Sequence, residues 1–247
     1  MTEAKPQALI VGVGEERGLG AALCRRFARE GQHVIAVGRT PERLARLVEA
    51  ITAEGGSAAA IAADATNEAD VIGLFDKISA DTGAAPLDLV VFNAGLNKAQ
   101  DFRTLAAKDF ETFWRIGCFA GFLVGREAAR RLAPQGYGTI IFTGASGSLR
   151  GRPKFAAFAA AKAGLRAVAQ AMAREFGPAG LHVAHVIIDG GIDGEWLKAA
   201  FPQMHADKGS DGLLDPDAIA EAYWHIHRQP RSAWTHELDL RPYKEGF

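Results

Sequence analysis

Residues 8–28 read ALIVGVGEERGLGAALCRRFA, a run that passes from an apolar strand through a glycine loop into a helix. This order suits a phosphate-binding turn, because glycines let the backbone approach a pyrophosphate and the following helix offers unpaired N–H groups. The glycines fit the pattern Gly14-x3-Gly18-x-Gly20. Counting from the strand instead makes Gly12 the first glycine of the turn and lengthens the loop by two residues. The sequence leaves open which of these two glycines opens the loop.

Beyond this segment, short apolar runs rich in β-branched residues alternate with longer helical patterns. Such an alternation predicts a parallel sheet with helices on both faces, and right-handed crossovers give a doubly wound α/β fold of Rossmann type. The length suits one domain, residues 1–247. We expect the long irregular stretch 189–215 to hold a mobile substrate lid. The seven predicted strands are 8–13, 33–38, 57–62, 87–92, 138–143, 182–188 and 236–240, and the predicted helices lie near 18–30, 41–53, 67–80, 105–133, 155–176 and 216–228.

Composition limits the partners. The formal net charge of −1 gives no electrostatic reason to expect nucleic acid or an anionic membrane surface. Apolar runs are short, so no segment is expected to span a bilayer, and the N-terminal MTEAKPQ lacks the order of a signal peptide. Cys24 and Cys118 show no metal-ligand spacing. We therefore expect no metal site, no disulfide framework and a cytoplasmic location.

The end of the second predicted strand bears on the choice of cofactor. An NAD-binding turn usually carries an acidic residue at the position of Gly38, where it binds the ribose hydroxyls. Here Arg39 follows instead, and its guanidinium can pair with a 2′-phosphate. Arg17 in the glycine loop supplies a second cation. The two arginines favour NADP(H) over NAD(H); the alternative for Arg39 is a solvated charge at the start of the next helix.

Two further motifs follow the third and fourth predicted strands. They are Asp64-Ala65 in AADAT and Asn93-Ala94-Gly95 in VVFNAGLN. With the glycine loop, they make residues 6–240 resemble the short-chain dehydrogenases/reductases, whose enoyl-thioester reductase branch has a similarly long loop. The resemblance implies an adenine contact from Asp64 and a cofactor contact from the Asn-Ala-Gly motif. The residues expected to bind this half of the cofactor are Gly12, Gly14, Arg17, Gly18, Leu19, Gly20, Arg39, Asp64, Ala65, Asn93, Ala94 and Gly95.

In the resembled family, hydride passes between a nicotinamide and a carbonyl or alcohol, and the spacing Ser-x12-Tyr-x3-Lys supplies groups that handle the proton. Here FAAFAAAK carries the lysine as Lys162, with Phe158 at the tyrosine position and Ala145 at the serine position. Cys118 best matches the family's asparagine. Three of the four functional groups are therefore replaced. Lys162 is retained, and in the family this residue also holds the nicotinamide ribose.

The segment after the sixth predicted strand also departs from the family pattern. The family's Pro-Gly reads Asp189-Gly190, and its carboxamide-binding threonine is Gly194. The resemblance still assigns Asp189, Gly190 and Ile192 to the cofactor site. In the Tyr-x6-Lys spacing of enoyl-thioester reductases, Phe155 stands in place of the tyrosine.

A replacement for the missing acid is hard to find in the sequence. Ser146 and Ser148 lie near Ala145, and Ser146 is the candidate substitute. A serine hydroxyl is a poor proton donor, although it can polarise a carbonyl. Cys118 is a weak acid, but a small residue on a helix that faces a neighbouring helix more often serves packing.

Three functions remain open. The first is an NADP(H)-dependent reductase of a small apolar carbonyl or activated alkene, working without the usual tyrosine. The second is a catalytically silent NADP(H)-binding protein, either a redox sensor or a non-catalytic subunit, and the third is a scaffold that binds no nucleotide. Family analogy predicts a homodimer or homotetramer. For the first function, the small-molecule pocket is expected to be lined by Phe155, Phe158, Trp196 and Phe201.

Overall fold

The computed structural model describes residues 5–80 and 84–246, and a single parallel sheet forms the centre of this part of the chain. Its strands are β1 (Gln7–Val11), β2 (His33–Gly38), β3 (Ser57–Ala62), β4 (Leu87–Phe92), β5 (Gly138–Ala145), β6 (Leu181–Ile188) and β7 (Glu237–Leu240). Their order is β3-β2-β1-β4-β5-β6-β7, and every neighbouring pair is parallel. The order reverses between β1 and β4, which opens a crevice outside the carboxyl ends of these strands.

Helices cover both faces of the sheet, which confirms the doubly wound, seven-stranded α/β fold. The helices of the described ranges are α1 (Leu19–Arg29), α2 (Pro41–Ala53), α3 (Glu68–Ala80), α4 (Ala107–Trp114), α5 (Ala120–Gln135), α6 (Ala156–Phe176), α7 (Glu195–Ala200), α8 (Pro202–Lys208) and α9 (Pro216–His227). One buried apolar cluster packs α1, α2 and α9 against one face of the sheet, and a second packs α3, α5 and α6 against the other face. None of these helices is long and apolar enough to cross a membrane.

Strand β1 ends two residues before its predicted end at residue 13. The backbone N–H groups of Gly12 and Val13 both donate to Val37 O, each at 2.9 Å. Successive residues of an extended strand point their N–H groups to opposite sides, so this shared acceptor shows that the chain has already turned toward β2. The glycine loop therefore begins at Gly12.

The helix predicted over 105–133 is interrupted. It consists of α4, a five-residue π-helix from Arg115 to Phe119, and α5. Apolar periodicity does not reveal one wide turn inside a long helix, and such turns are frequent at functional sites. This one contains Cys118, whose Sγ lies beside Gly164 of α6.

The stretch 189–215 is not irregular throughout, which corrects the expectation from the sequence. It contains the short helices α7 and α8. A bridge between Ile192 and Leu214 joins its two ends, supported by a hydrogen bond of 2.8 Å from Leu214 N to Gly191 O. The stretch is therefore a helical excursion closed at its base.

Two helical glycines have opposite surroundings. A Cβ built on Gly121 of α5 would lie 2.3 Å from Leu165 Cδ1 and 3.1 Å from Phe92 Cε1. Both of these neighbours are 0% exposed, so neither has room to move away. A Cβ built on Gly73 of α3 meets no atom within 4 Å. Gly121 is thus required by packing, whereas Gly73 is not.

We expect Gly121→Ala to lower the free energy of unfolding by about 1–3 kcal/mol, because overpacking outweighs the ~1 kcal/mol gain in helix propensity. Gly73→Ala is the matched control and should raise the free energy of unfolding by about 0.5–1 kcal/mol. Urea denaturation of both variants measures the difference. Equal shifts would contradict the close contact between α5 and α6.

Candidate cofactor and substrate site

Close backbone packing shapes the turn after β1. Gly12 has a φ of 98°, and a Cβ built on it would lie 2.6 Å from Ala94 N. A Cβ built on Gly20, in the first turn of α1, would lie 2.7 Å from Gly12 O. The amide of Asn93 donates to that same Gly12 oxygen at 3.2 Å. The glycine loop, α1 and the Asn-Ala-Gly turn are therefore held together as one unit.

Open space adjoins this unit at Gly14, where a built Cβ would meet no atom within 4 Å. Helix α1 starts at Leu19 after Gly18, so its free N–H groups lie at the same loop. Gly12 opens the turn and Gly14 borders the open space, so both glycines of the sequence pattern belong to the loop. A pyrophosphate fits such a cradle, because it needs backbone donors and no intervening side chain.

The same loop closes the end of β2. A Cβ built on Gly38 would lie 2.3 Å from Val13 O. An acidic side chain therefore has no room at residue 38 while the loop follows this path. The missing carboxylate at this position has a packing cause, which the sequence pattern alone did not reveal.

Asp64 has a local partner. Its Oδ1 accepts hydrogen bonds from Thr66 N at 2.9 Å and Thr66 Oγ1 at 2.8 Å. Partial burial opposes ionisation, but these two bonds and the charges of Arg39 and Arg115 outweigh it and lower the pKa of Asp64. The adjoining Ala65 packs on the apolar cluster beneath α3. This turn is thus rigid and anionic, beside the exposed Arg39.

Arg17 joins the glycine loop to the segment 189–215. Its Nη2 donates to Asp193 Oδ2 and its backbone N–H to Glu195 Oε1, both at 3.2 Å. A Cβ built on Gly194 would lie 2.7 Å from Arg17 O, so the threonine of the family pattern does not fit here. The Arg17 side chain is still 67% exposed, so its charge remains accessible.

Lys162 lies beneath the Asn-Ala-Gly turn. Its Nζ donates to Thr143 O at 2.8 Å and lies beside Gly95. The side chain is buried, and burial lowers its pKa from the 10.5 of a free lysine to about 8. This lysine is placed between the cofactor crevice and the carboxyl end of β5.

The three substituted positions have separate surroundings. The Phe158 ring lies against Gly147, on the wall of a cleft, while Ala145 is buried at the end of β5. Cys118 is also buried, and burial raises the pKa of its thiol. Of these three residues, only Phe158 lines the cleft. Ser146, the candidate substitute for the missing acid, lines it as well. Cys118 is therefore a packing residue of the π turn.

A buried polar chain behind Ala145 was missed in the sequence. Ser148 Oγ accepts from Ala145 N and lies 3.2 Å from His185 Nε2, while His185 Nδ1 lies 3.1 Å from Glu237 Oε2. Burial, the largest influence, lowers the pKa of His185 to about 4, so the ring is neutral at pH 7. Nδ1 then donates to the carboxylate and Nε2 accepts from the serine. The second histidine of HVAHVII, flanked on both sides by apolar residues, was the signal available.

Arg166 closes this chain with two bonds to Glu237, of 2.6 and 2.7 Å. The chain fixes the turn that carries Ser146. Ser148 is therefore a structural residue and is not free to act on a substrate.

Asp189 is committed to arginines. It is 1% exposed, and both of its oxygens accept from Arg150 Nη2 at 3.0 Å. Arg241 Nη2 donates to Oδ2 at 2.8 Å. Gly190 packs against Pro242, and Ile192 takes part in the bridge at the base of the excursion. Of these three predicted cofactor residues, Asp189 has its carboxylate turned toward the protein interior.

A cleft of ≈ 340 Å³ lies at the carboxyl ends of β5 and β6, under the segment 189–215. The four aromatic residues predicted for the substrate pocket all line it: Phe155, Phe158, Trp196 and Phe201. Within the described ranges, no group of three or more His, Cys, Asp or Glu side chains is arranged to hold a metal ion.

Known proteins match this architecture. The family model of the short chain dehydrogenases matches residues 7–204. A short-chain dehydrogenase/reductase of Armillaria gallica is 34% identical over 180 residues, which cover 71% of this chain and 67% of that protein. The uncharacterized oxidoreductase YuxG of Bacillus subtilis is 30% identical over 213 residues, which cover 85% of this chain and 30% of that longer protein.

The crystal structure of a short-chain dehydrogenase from Rhodopseudomonas palustris superposes with a TM-score of 0.81 at 41% identity, covering 96% of this chain and 99% of that chain. Sequence and structure agree over most of the length. This chain belongs to the short-chain dehydrogenase/reductase family of nicotinamide-dependent oxidoreductases.

Proposed function

We propose that the protein is an NADP(H)-dependent reductase of a carbonyl or activated-alkene substrate that works without the family's tyrosine acid. The observation that carries this proposal is the packing of Gly12, Gly20 and Asn93 around an open phosphate cradle. The buried Lys162 lies beneath the same turn, close to Gly95. These contacts preserve a cradle of the shape that a nicotinamide dinucleotide requires.

The residues divide the work as follows. The glycine loop and the start of α1 would hold the pyrophosphate, and Lys162 would hold the nicotinamide ribose. A nicotinamide held in this way would supply the hydride for reduction of the substrate. Phe158 closes the wall where the acid would stand, and Ser146 offers a hydroxyl that can polarise a substrate oxygen. Water supplies the proton, which suits a polarised double bond better than a simple ketone.

The preference for NADP(H) rests on Arg39 and Arg17. Both guanidiniums are exposed at the glycine loop and the end of β2. Residue 38 has no room for the acid that binds a free ribose 2′-hydroxyl. Two cations and no opposing carboxylate at residue 38 favour a 2′-phosphate.

The second candidate is a catalytically silent NADP(H)-binding protein. It is favoured by the surroundings of Cys118 and Ala145, which are buried away from the cleft and provide no substitute for the missing groups. Turnover separates the two candidates. Saturable NADPH binding with no oxidation in the presence of ketones, quinones, enones or enoyl thioesters would favour the silent protein.

We further propose a homodimer or homotetramer that assembles through α5 and α6 in the cytoplasm. A groove of ≈ 600 Å³ lies between these helices. Phe122 on its edge is 41% exposed. The free, buried state of Cys24 and Cys118 is compatible with a reducing compartment.

Cofactor preference is tested by fluorescence titration. We expect NADPH to bind at least about 10-fold more tightly than NADH, since charged hydrogen bonds contribute about 1.5–3 kcal/mol. Arg39→Ala should weaken NADPH binding by about the same factor and leave NADH unchanged. Arg29→Ala, on the far part of α1, is the matched control. Equal affinities of the wild type for both cofactors would refute the preference.

Restoring the acid tests the presentation of the substrate. We expect Phe158→Tyr combined with Ala145→Ser to raise the reduction of 4-phenyl-2-butanone by about 10²- to 10⁴-fold, because a positioned acid then protonates the oxygen. Ala145→Ser alone supplies no acid at residue 158 and should give no gain. NADPH oxidation measures both rates. A restored variant that binds NADPH yet stays inert would show that hydride is not presented to the cleft.

Burial of Lys162 predicts a pH dependence of stability in the ligand-free protein. Its pKa is about 8 when folded against 10.5 when free, so between these values the unfolded chain binds more protons. Stability should therefore rise with pH across this window and be lowest, for this group, below about pH 8. Urea unfolding at about pH 8 and pH 10 should show a larger rise in the wild type than in Lys162→Met. Equal rises would contradict the lowered pKa.

A further inference from the structure

The cleft beneath the segment 189–215 differs in charge from the rest of the protein. Four cations and two carboxylates line it, an excess of two positive charges, whereas the whole chain carries a net charge of −1. A concave site with an excess of one sign concentrates ligands of the opposite sign. The cations are Lys98, Arg150, Arg152 and Lys208, and the carboxylates are Asp189 and Glu245.

The carboxylates lie deeper than the cations that they neutralise. The Asp189 side chain is 1% exposed, whereas that of its partner Arg150 is 34% exposed. Glu245 is 16% exposed, with Lys208 Nζ at 2.8 Å and Arg152 Nη2 at 4.0 Å. Each carboxylate therefore lies behind its cationic partners, and the cationic groups form the surface that a ligand contacts.

Lys98 and Arg152 have the most charge to spare. Lys98 is exposed, and no acid of the described residues forms an ion pair with it. Arg152 is 48% exposed and shares Glu245 with the closer Lys208. An anionic ligand group would gain two charge-assisted contacts from this pair without displacing a buried bond.

The remaining wall of the cleft is apolar. Trp196 and Phe201 of the excursion are 50% and 49% exposed, and their rings meet edge to face at 5.8 Å. Phe155 and Phe158, at the start of α6 on the opposite side, line the same space. Exposed aromatic groups gathered in one place indicate a surface that an apolar ligand covers.

The cationic groups and the aromatic wall of the cleft together define the kind of ligand that fits. A wholly apolar molecule would bury the cations without partners, which is unfavourable. A compact polar anion would leave the aromatic wall exposed. We infer that the substrate is an apolar carboxylate, with an aromatic or alkyl body on the wall and a carboxylate directed to Lys98 and Arg152. This inference rests on the proposed reductase function and narrows its substrate from an apolar carbonyl compound to an oxo acid or an unsaturated acid.

The test uses two probes of nearly the same shape, the anionic 4-oxo-4-phenylbutanoate and the neutral 4-oxo-4-phenylbutanamide. Isothermal titration is performed on the full chain, with and without NADPH. We expect the acid to bind at least about 10-fold more tightly than the amide, because only the acid forms charge-assisted hydrogen bonds. Lys98→Gln combined with Arg152→Gln should reduce this ratio to below about 3-fold. Arg29→Gln, an exposed arginine of α1, should leave it unchanged.

The outcomes separate this inference from the function on which it rests. Equal binding of acid and amide to the wild type, or binding of neither when NADPH binds, overturns the carboxylate assignment and leaves the reductase proposal standing. An unaltered ratio in the double variant also overturns it. Absence of NADPH binding sinks the reductase proposal, and the probe ratio without cofactor then decides the ligand class independently.

Discussion

The contact between Gly12 and Ala94 is the constraint on which the site depends. Two backbone turns, one after β1 and one after β4, approach so closely that a methyl group at Gly12 would lie within 2.6 Å of a backbone nitrogen. Asn93 secures the contact through its amide, and α1 begins where the loop ends. The crevice at the reversal of strand order thereby has fixed walls. Lys162 and the cleft beyond it are positioned relative to those walls.

The sheet beneath these turns also positions the residues that line the cleft. Strand β5 carries Thr143, whose carbonyl holds Lys162, and ends at Ala145. The chain from Ser148 through His185 to Glu237 then ties the following turn to β6 and β7. The residues that we propose for substrate and cofactor binding are thus connected through the strands and do not rely on exposed loops alone. A neutral imidazole, kept so by burial, is an important part of this connection.

Much of this arrangement was predictable. Apolar runs separated by helical patterns predicted the sheet and both helical layers, because the five inner strands are buried on two sides. The aromatic lining of the cleft also followed, since Phe155 and Phe158 lie at the start of α6 and Trp196 and Phe201 belong to the excursion above it. What the pattern did not contain were contacts between segments distant in sequence. The clash that excludes a side chain from Gly38, the arginines around Asp189 and the partners of His185 all depend on packing in three dimensions.

The close approach at Gly194 bears on which substitutions this chain accepts. A β-carbon there would press against the carbonyl of Arg17, just as one at Gly38 would press against Val13. A side chain introduced at either position alone would displace the backbone that surrounds it. The main chain, and not only the neighbouring side chains, therefore limits how residues 38 and 194 can vary.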